Sequence, residues 1–313
     1  MSVHDVLNVS GWPLVGDEQL GSKSKFWLRD PEEVRWLFKL PRERAGDDWA
    51  EKVTAELGGL IGLPCPGVEL ALHTGRRGTV TRSFLPRASE VGARLVHGNE
   101  LLFEIDPTYP RTRERMIAEH TVDAVMGALE RFRVEPPMPS PTFDDGREMT
   151  AHECFTGYLA FDAWIGNQDR HHENWGILVI EEGGVTDRSV LAPSFDHAAS
   201  LGQFLLDKER EGRLKTKDRG YAIEAWAAKA RSHLYLSSSD SRPASTVAAF
   251  GYAALGNREA ALHWRQRIAE ANMAKVAEVL QAVPFEWMSE CARRFALRVL
   301  EVNRDALQAM EIE

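Results

Sequence analysis

The feature that most constrains the fold of this chain is a change of hydrophobic period partway along it. Up to about residue 86, apolar residues come in short runs bounded by Gly, Pro and Asp. FWL and VRWLFKL flank a turn at Asp30-Pro31, and VELALHT and TVTRSFL flank Gly75-Arg76-Arg77-Gly78. Runs of this kind read as strands joined by tight turns. Between the two pairs, Trp49, Val53, Leu57, Leu60 and Ile61 recur at helical spacing after Gly46-Asp47-Asp48, and Gly62 and Pro64 end the pattern. The first part is therefore expected to run β-β-α-β-β. Beyond Pro86 the period is helical, over about 111–133, 150–166, 220–234, 243–254, 258–282 and 285–310. A strand pair at 175–181 and 189–193 interrupts it, and Pro-rich 136–141 reads as a surface loop. The expectation is an α+β chain with a small β-rich lobe (1–86), a larger, mainly helical lobe (87–313) and a cleft between them.

The chain's 313 residues carry 38 Lys+Arg against 47 Asp+Glu, net −9, and 43% are apolar. That is too apolar for a disordered chain and too acidic for a general nucleic-acid binder. The acidity is local. Residues 91–200 hold 9 basic and 19 acidic residues and no lysine, whereas the flanking thirds are close to neutral. Such a region is either a solvated acidic surface or a site for a hard divalent cation, which takes oxygen ligands. No apolar run is long enough to span a membrane, and MSVHDVLNVSGWP lacks the features of a signal peptide. Cys65, Cys154 and Cys291 are far apart, as expected of reduced thiols in the cytoplasm.

The strongest chemical signal is FDAWIGNQDRHHENWGIL at 161–178, a helix end, a polar loop and the start of a strand. Asp169 and Asn174 stand five positions apart in it, and Asp196 follows in LAPSFDHAAS. Phosphoryl transfer from ATP needs one carboxylate to orient a hydroxyl, and an Asn and a second carboxylate to hold Mg²⁺. D-x4-N alone is a weak signal; joined to a strand and a correctly placed Asp, after a β lobe, it is a strong one. The same chemistry needs a lysine on a strand and a helix glutamate to hold it. Lys39 ends VRWLFKL, and Glu51 and Glu56 lie on the following helix, with Glu51 the better placed. Gly16 and Gly21-Ser22-Lys23-Ser24-Lys25 precede the first strand, and read either as a phosphate cradle or as a polar turn. Ser83, Phe84 and Leu85 fall where the chain passes between lobes, and read either as adenine neighbours or as an edge strand and turn.

These blocks resemble the HipA-like serine/threonine kinases, a bacterial branch of the protein-kinase-like fold with affinity to phosphatidylinositol kinases. LGSKSKFWL, LFKLP, the Glu51 helix eleven residues ahead of the Gly62 of GLPCP, IGNQDRHHENWGIL and LAPSFDHAAS carry the resemblance across residues 20–200. It implies ATP and Mg²⁺ as cofactors, with Asp169 as base, Asn174 and Asp196 as metal ligands, Lys39 on the phosphates and Glu51 holding Lys39. It implies a protein substrate, with an antitoxin-like protein as a possible partner; no membrane and no direct nucleic-acid contact are expected from the composition and charge. Two departures stand out. The core begins almost at residue 1, a short form without the family's N-terminal subdomain. Glu18 falls where the family has a phosphorylatable serine, which leaves Ser22 and Ser24 as nearby candidates. A small-molecule or lipid kinase of the same fold, or an inactive ATP-binding module, is the rival reading.

Other residues leave alternatives open. His171, His172 and His197 flank the two aspartates and could instead ligate zinc in a hydrolase, although the spacing matches no zinc signature. More simply, His171 braces the loop backbone. Arg170 pairs with an acidic neighbour or with a substrate phosphate. DKEREGRLKTKDR at 207–219 is a solvated face or a docking segment, with Thr216 a candidate phosphosite. By spacing, Trp49, Trp164 and Trp287 belong to the core.

Overall fold

The computed structural model describes residues 4–17, 25–86, 92–113, 115–182 and 185–312. Two sheets and ten helices are described. The first sheet has the order β1-β5-β6-β4-β3-β2, from strands β1 (Val6–Asn8), β2 (Leu14–Asp17), β3 (Lys25–Arg29), β4 (Arg35–Lys39), β5 (Val68–His73) and β6 (Arg76–Arg82). All its pairs are antiparallel except β1 with β5. Helix α1 (Asp47–Leu60) lies between β4 and β5 in the chain. The β-β-α-β-β expectation thus holds for β3 to β6. It missed β1 and β2, which at three and four residues are too short to show an alternation.

Asp30 builds the β3–β4 turn, its Oδ1 accepting from the Glu32 and Val34 amides. The β5–β6 turn is displaced from the expected GRRG. His73 pairs with Arg76, so the two turn residues are Thr74 and Gly75, with φ of 49° and 78°. Two consecutive positive φ values are the requirement of the tight hairpin whose twist matches its strands. Arg76 and Arg77 are therefore strand residues. Along β4 the pleat sends Phe38 into a small cluster with Val9, Leu28 and Val80 and turns Leu37 and Lys39 to the opposite face.

The second sheet is β7 (Gly92–His97), β8 (Gly176–Glu182) and β9 (Val185–Leu191), antiparallel in that order. Strand β7 and helix α2 (Gly98–Ile105) were not expected. The helix anticipated over 111–133 is only α3 (Val122–Arg131), because Thr121 caps it by accepting from the Ala124 amide. Helix α4 (Ala151–Ile165) is apolar all round and buried all round, packed by α7 (Thr246–Gly256), α8 (Arg258–Ala269) and α10 (Glu290–Ala309). The pattern over 258–282 breaks into α8 and α9 (Met273–Ala282), since Asn272 caps a new helix through the Ala274 and Lys275 amides. Ser289 likewise starts α10 five residues later than expected. The expected 220–234 helix shrinks to α6 (Ile223–Ala227), and the charged run forms α5 (Asp207–Lys215).

One core runs from α1 through α4 to the C-terminal helices and includes Trp49 and Trp164. Trp287 is only half-buried, with Arg77 stacked 4.2 Å above its ring. Arg77 also donates to Asp48 on α1 and to the Glu286 and Trp287 carbonyls. At the other end of α1, Arg267 donates to the Ile61 carbonyl. All three cysteines are free thiols. No helix among the described residues is long and apolar enough to cross a membrane.

Candidate active site

Lys39 is 8% exposed at the end of β4, opposite Thr79 of β6 and Lys25 of β3. Its Nζ lies 2.6 Å from Glu51 Oε1, one turn into α1, and 3.4 Å from Asp196 Oδ1. Thr81 donates to the same Glu51 oxygen at 3.4 Å. Burial by itself lowers the lysine pKa, but the Asp196 and Glu51 carboxylates outweigh it and raise the pKa above the ordinary range. The ammonium is therefore permanently charged. Glu56 faces away and pairs with Lys52 at 2.7 Å.

The polar loop leaves α4 at Gly166, whose φ of 65° is the left-handed helix stop glycine favours. The loop then folds around one buried side chain. The Arg170 guanidinium, wholly buried, donates to both Asp162 oxygens at 2.7 and 2.8 Å, to the Asn174 carbonyl at 2.6 Å and to Ser194 Oγ at 2.9 Å. The open question over Arg170 thus resolves to an acidic partner inside the protein. Asn167 donates to Asp162 and accepts from the Asp169 amide, and Asn174 Nδ2 donates to the Asp169 carbonyl at 2.6 Å. His171 accepts from the Glu173 amide at 3.2 Å, a backbone brace of the kind expected. His197 lies 2.7 Å from Ser194, and burial together with Arg170 pushes its pKa well below the histidine range.

Asp196 has φ 59°, a strained conformation for a residue with a side chain, held by the buried segment around it. It projects into a cavity of about 380 Å³. Lys25, Lys39, Ser83, Phe84, Leu85, Asn174 and Asp196 all line this cavity, together with Trp27, Leu37, Leu95 and Phe195. Phe84 stacks on Phe195 at 5.6 Å. The wall is thus apolar at Phe84, Leu85 and Phe195 and charged at Lys39 and Asp196, with Arg35, Arg82, Glu100 and Glu173 also lining it. Asp169 stands on the loop beside Asn174, and its carboxylate faces His233 at 3.6 Å and Arg115 at 4.0 Å.

Gly21, Ser22, Lys23 and Ser24, with Glu18, lie outside the described residues. Thr216 caps the end of α5, accepting from the Asp218 amide, and does not line the cavity. Among the described residues no group of three or more His, Cys, Asp or Glu side chains is arranged to hold a metal, so the zinc reading finds no cluster there.

Sequence reasoning missed Asp162, Ser194, Arg115 and His233. The first carried a readable signal, an aspartate inside an otherwise apolar helix, which calls for a buried cation. The last two come from irregular segments 54 and 64 residues away from Asp169, with no local pattern to mark them.

No protein-family model matches the chain, and no curated protein matches it. Among solved structures, the Helicobacter pylori proinflammatory kinase CtkA superposes with a TM-score of 0.70 at 15% identity, covering 98% of this chain and 100% of that one. HipA of Shewanella oneidensis MR-1, from a complex with HipB and operator DNA, gives a TM-score of 0.49 at 10% identity, covering 96% of this chain and 68% of that one. At such identity the likeness to CtkA speaks for the fold: the chain has the α+β fold of a kinase, with a β-rich N-terminal sheet and a helical C-terminal part, as its resemblance to the HipA-like kinases led one to expect.

Proposed function

We propose that this chain is an ATP- and Mg²⁺-dependent serine/threonine protein kinase. The observation that carries the reading is the buried Glu51–Lys39–Asp196 chain, with contacts of 2.6 and 3.4 Å, facing the same cavity as Asn174. Four remote segments supply a fixed cation and oxygen donors around a space with apolar walls, which suits a purine on a polyphosphate.

The donor set fits Mg²⁺. Asn174 Nδ2 is committed to the loop, so Oδ1 is its atom for a hard cation, and Asp196 supplies a carboxylate oxygen. Bound there, the ion would neutralise charge developing on the transferred phosphoryl group. Lys39 Nζ would hold the phosphates, with Glu51 fixing its position. Phe84, Leu85 and Phe195 would cover the base. Asp169 would orient the substrate hydroxyl and accept its proton as the new O–P bond forms and the bond from γ-phosphorus to the ADP oxygen breaks.

The test is transfer of label from γ-labelled ATP to protein in a phosphoproteome of cells expressing wild type beside Asp169→Asn. Purified Asp169→Asn and Asp196→Asn are expected to lose transfer while keeping the wild-type circular dichroism spectrum. Retained transfer in Asp196→Asn would sink the assignment. Label appearing in lipid or small-molecule fractions but not in protein would move it to a kinase of another acceptor.

A further inference from the structure

We propose that the acceptor side of this site selects a serine or threonine flanked by acidic side chains, and that Arg115 and His233 are the residues that select it. This rests on the kinase reading above and deepens it.

Asp169 marks where the hydroxyl sits, and its Oδ1 has two basic neighbours, His233 Nε2 at 3.6 Å and Arg115 Nη2 at 4.0 Å. They arrive on separate segments that are fastened together. Thr121 bridges to Tyr235, the Tyr235 amide donates to the His120 carbonyl at 3.0 Å, and the Val122 amide donates to the Tyr235 carbonyl at 3.2 Å. His120 Nδ1 also contacts the His233 carbonyl at 3.2 Å. The pair therefore forms one surface beside the catalytic loop rather than two loose loops.

The two cations nearest Asp169 in sequence and space are in opposite states. Arg170 is buried, with its donors spent on Asp162, Asn174 and Ser194. The Arg115 side chain is 62% exposed, and its contact with Asp169 is at the outer limit of an ion pair. A guanidinium has five donors, so Arg115 can still take a carboxylate side-on. Arg111 and Arg113 of the same RTRER run are also exposed, Arg111 with its guanidinium over the Phe103 ring. Arg42, held by Asp47 at 2.9 Å, adds positive potential toward Asp169 and Asp196. Burial lowers the pKa of His233, so the imidazole serves as a polar contact and Arg115 carries the charge.

The surrounding stretch is acidic, which by itself would favour a basic acceptor. Distance decides between the two effects. Salt screens exposed charges beyond about 8 Å at physiological ionic strength. Arg115 and His233 lie within 4.0 Å of the Asp169 carboxylate, well inside that range, so a residue flanking a hydroxyl at Asp169 meets them at short distance.

Two peptides identical except for Glu or Lys on both sides of one serine test this, each also made with Ala for that serine. Fluorescence anisotropy of the Ala peptides measures docking without any turnover, and phosphorylation of the Ser peptides with Mg-ATP measures KM and kcat. The Glu-flanked pair is expected to bind more tightly and to show the lower KM. Arg115→Glu should weaken its binding by about fivefold or more, the scale of an exposed charge pair doubled by reversal, and Arg115→Lys should restore most of it. Equal or tighter binding of the Lys-flanked peptide, no binding of either, or an unchanged preference in Arg115→Glu would each overturn the inference. If the Glu-flanked Ala peptide binds as expected and no serine is phosphorylated, the acceptor preference stands and the kinase reading is what fails. If the Lys-flanked serine is the better substrate, the reverse holds.

Discussion

Arg170 and Asp162 face each other through two parallel charge-assisted hydrogen bonds of 2.7 and 2.8 Å, both side chains almost wholly excluded from water. One partner ends the central helix and the other sits in the loop that holds Asp169 and Asn174, so the pair ties loop geometry to the core. Removing one partner strands a charge in a place where it cannot be hydrated. Arg170→Met is expected to cost about 3–5 kcal/mol of stability by chemical denaturation. The double variant Asp162→Leu/Arg170→Met should recover part of that stability but no phosphate transfer, because the loop loses its bonds to the Asn174 carbonyl and Ser194 either way.

The two α1 glutamates separate a functional ion pair from a surface one. Glu51 meets Lys39 in the interior, whereas Glu56 meets Lys52 from a half-exposed position. Glu51→Gln is expected to lower kcat/KM by about 10²-fold, as loss of a preorganised electrostatic contact does. Glu56→Gln should leave it within about twofold, since pairs of that kind contribute under about 1 kcal/mol. Steady-state kinetics on the two variants side by side checks this; equal effects would place the Lys39 partner wrongly.

Gly78 lies on β6 beside the end of β4, its neighbour in the sheet. A methyl group there would come within 2.3 Å of the Lys39 carbonyl and 2.7 Å of the Phe38 ring. Backbone cannot yield as a flexible side chain does, so Gly78→Ala is expected to destabilise by about 1–3 kcal/mol. It should also raise the KM for ATP, by shifting the strand end that bears Lys39. A melting curve and an ATP titration read the two effects separately.

His120 makes the fold sensitive to acid. Its Nε2 accepts from the Trp175 indole N–H at 3.1 Å, which leaves Nδ1 to donate to the His233 carbonyl, so the ring is neutral. Burial pushes its pKa well below the usual histidine value, with nearby His172 adding to the effect. Below about pH 6.5 the unfolded chain binds a proton that the folded one refuses, so stability falls as pH falls. The urea midpoint is expected to drop between pH 7.5 and 5.5. His120→Gln, which does not titrate, should show a shallower slope even though it starts from a lower midpoint.

Much of the fold was legible because periodicity reports burial. β3 to β6, α1 and α4 all carry one-sided or continuous apolar patterns that tertiary packing then uses. What stayed hidden was decided by single polar residues or by partners remote in sequence. Asn272 splits one apparent helix in two, and Thr121 postpones another, although the hydrophobic pattern runs on through both. β7 is legible only as the partner of β8. In the site, Lys39, Asn174 and Asp196 come together around one cavity as their spacing suggested. Of the network behind them, Asp162 and Arg170 stand eight residues apart across the end of α4, while Ser194 joins from 24 residues further on.

Helix α1 is pinned at both ends: near its start Asp48 holds Arg77 of β6, which also grips the 286–287 backbone and the Trp287 ring, and just past its end Ile61 accepts from Arg267 of α8. Glu51 therefore keeps station with both the sheet that carries Lys39 and the C-terminal helices. The segment before α10 and the helix α8 thus share their anchor points with the helix that carries Glu51.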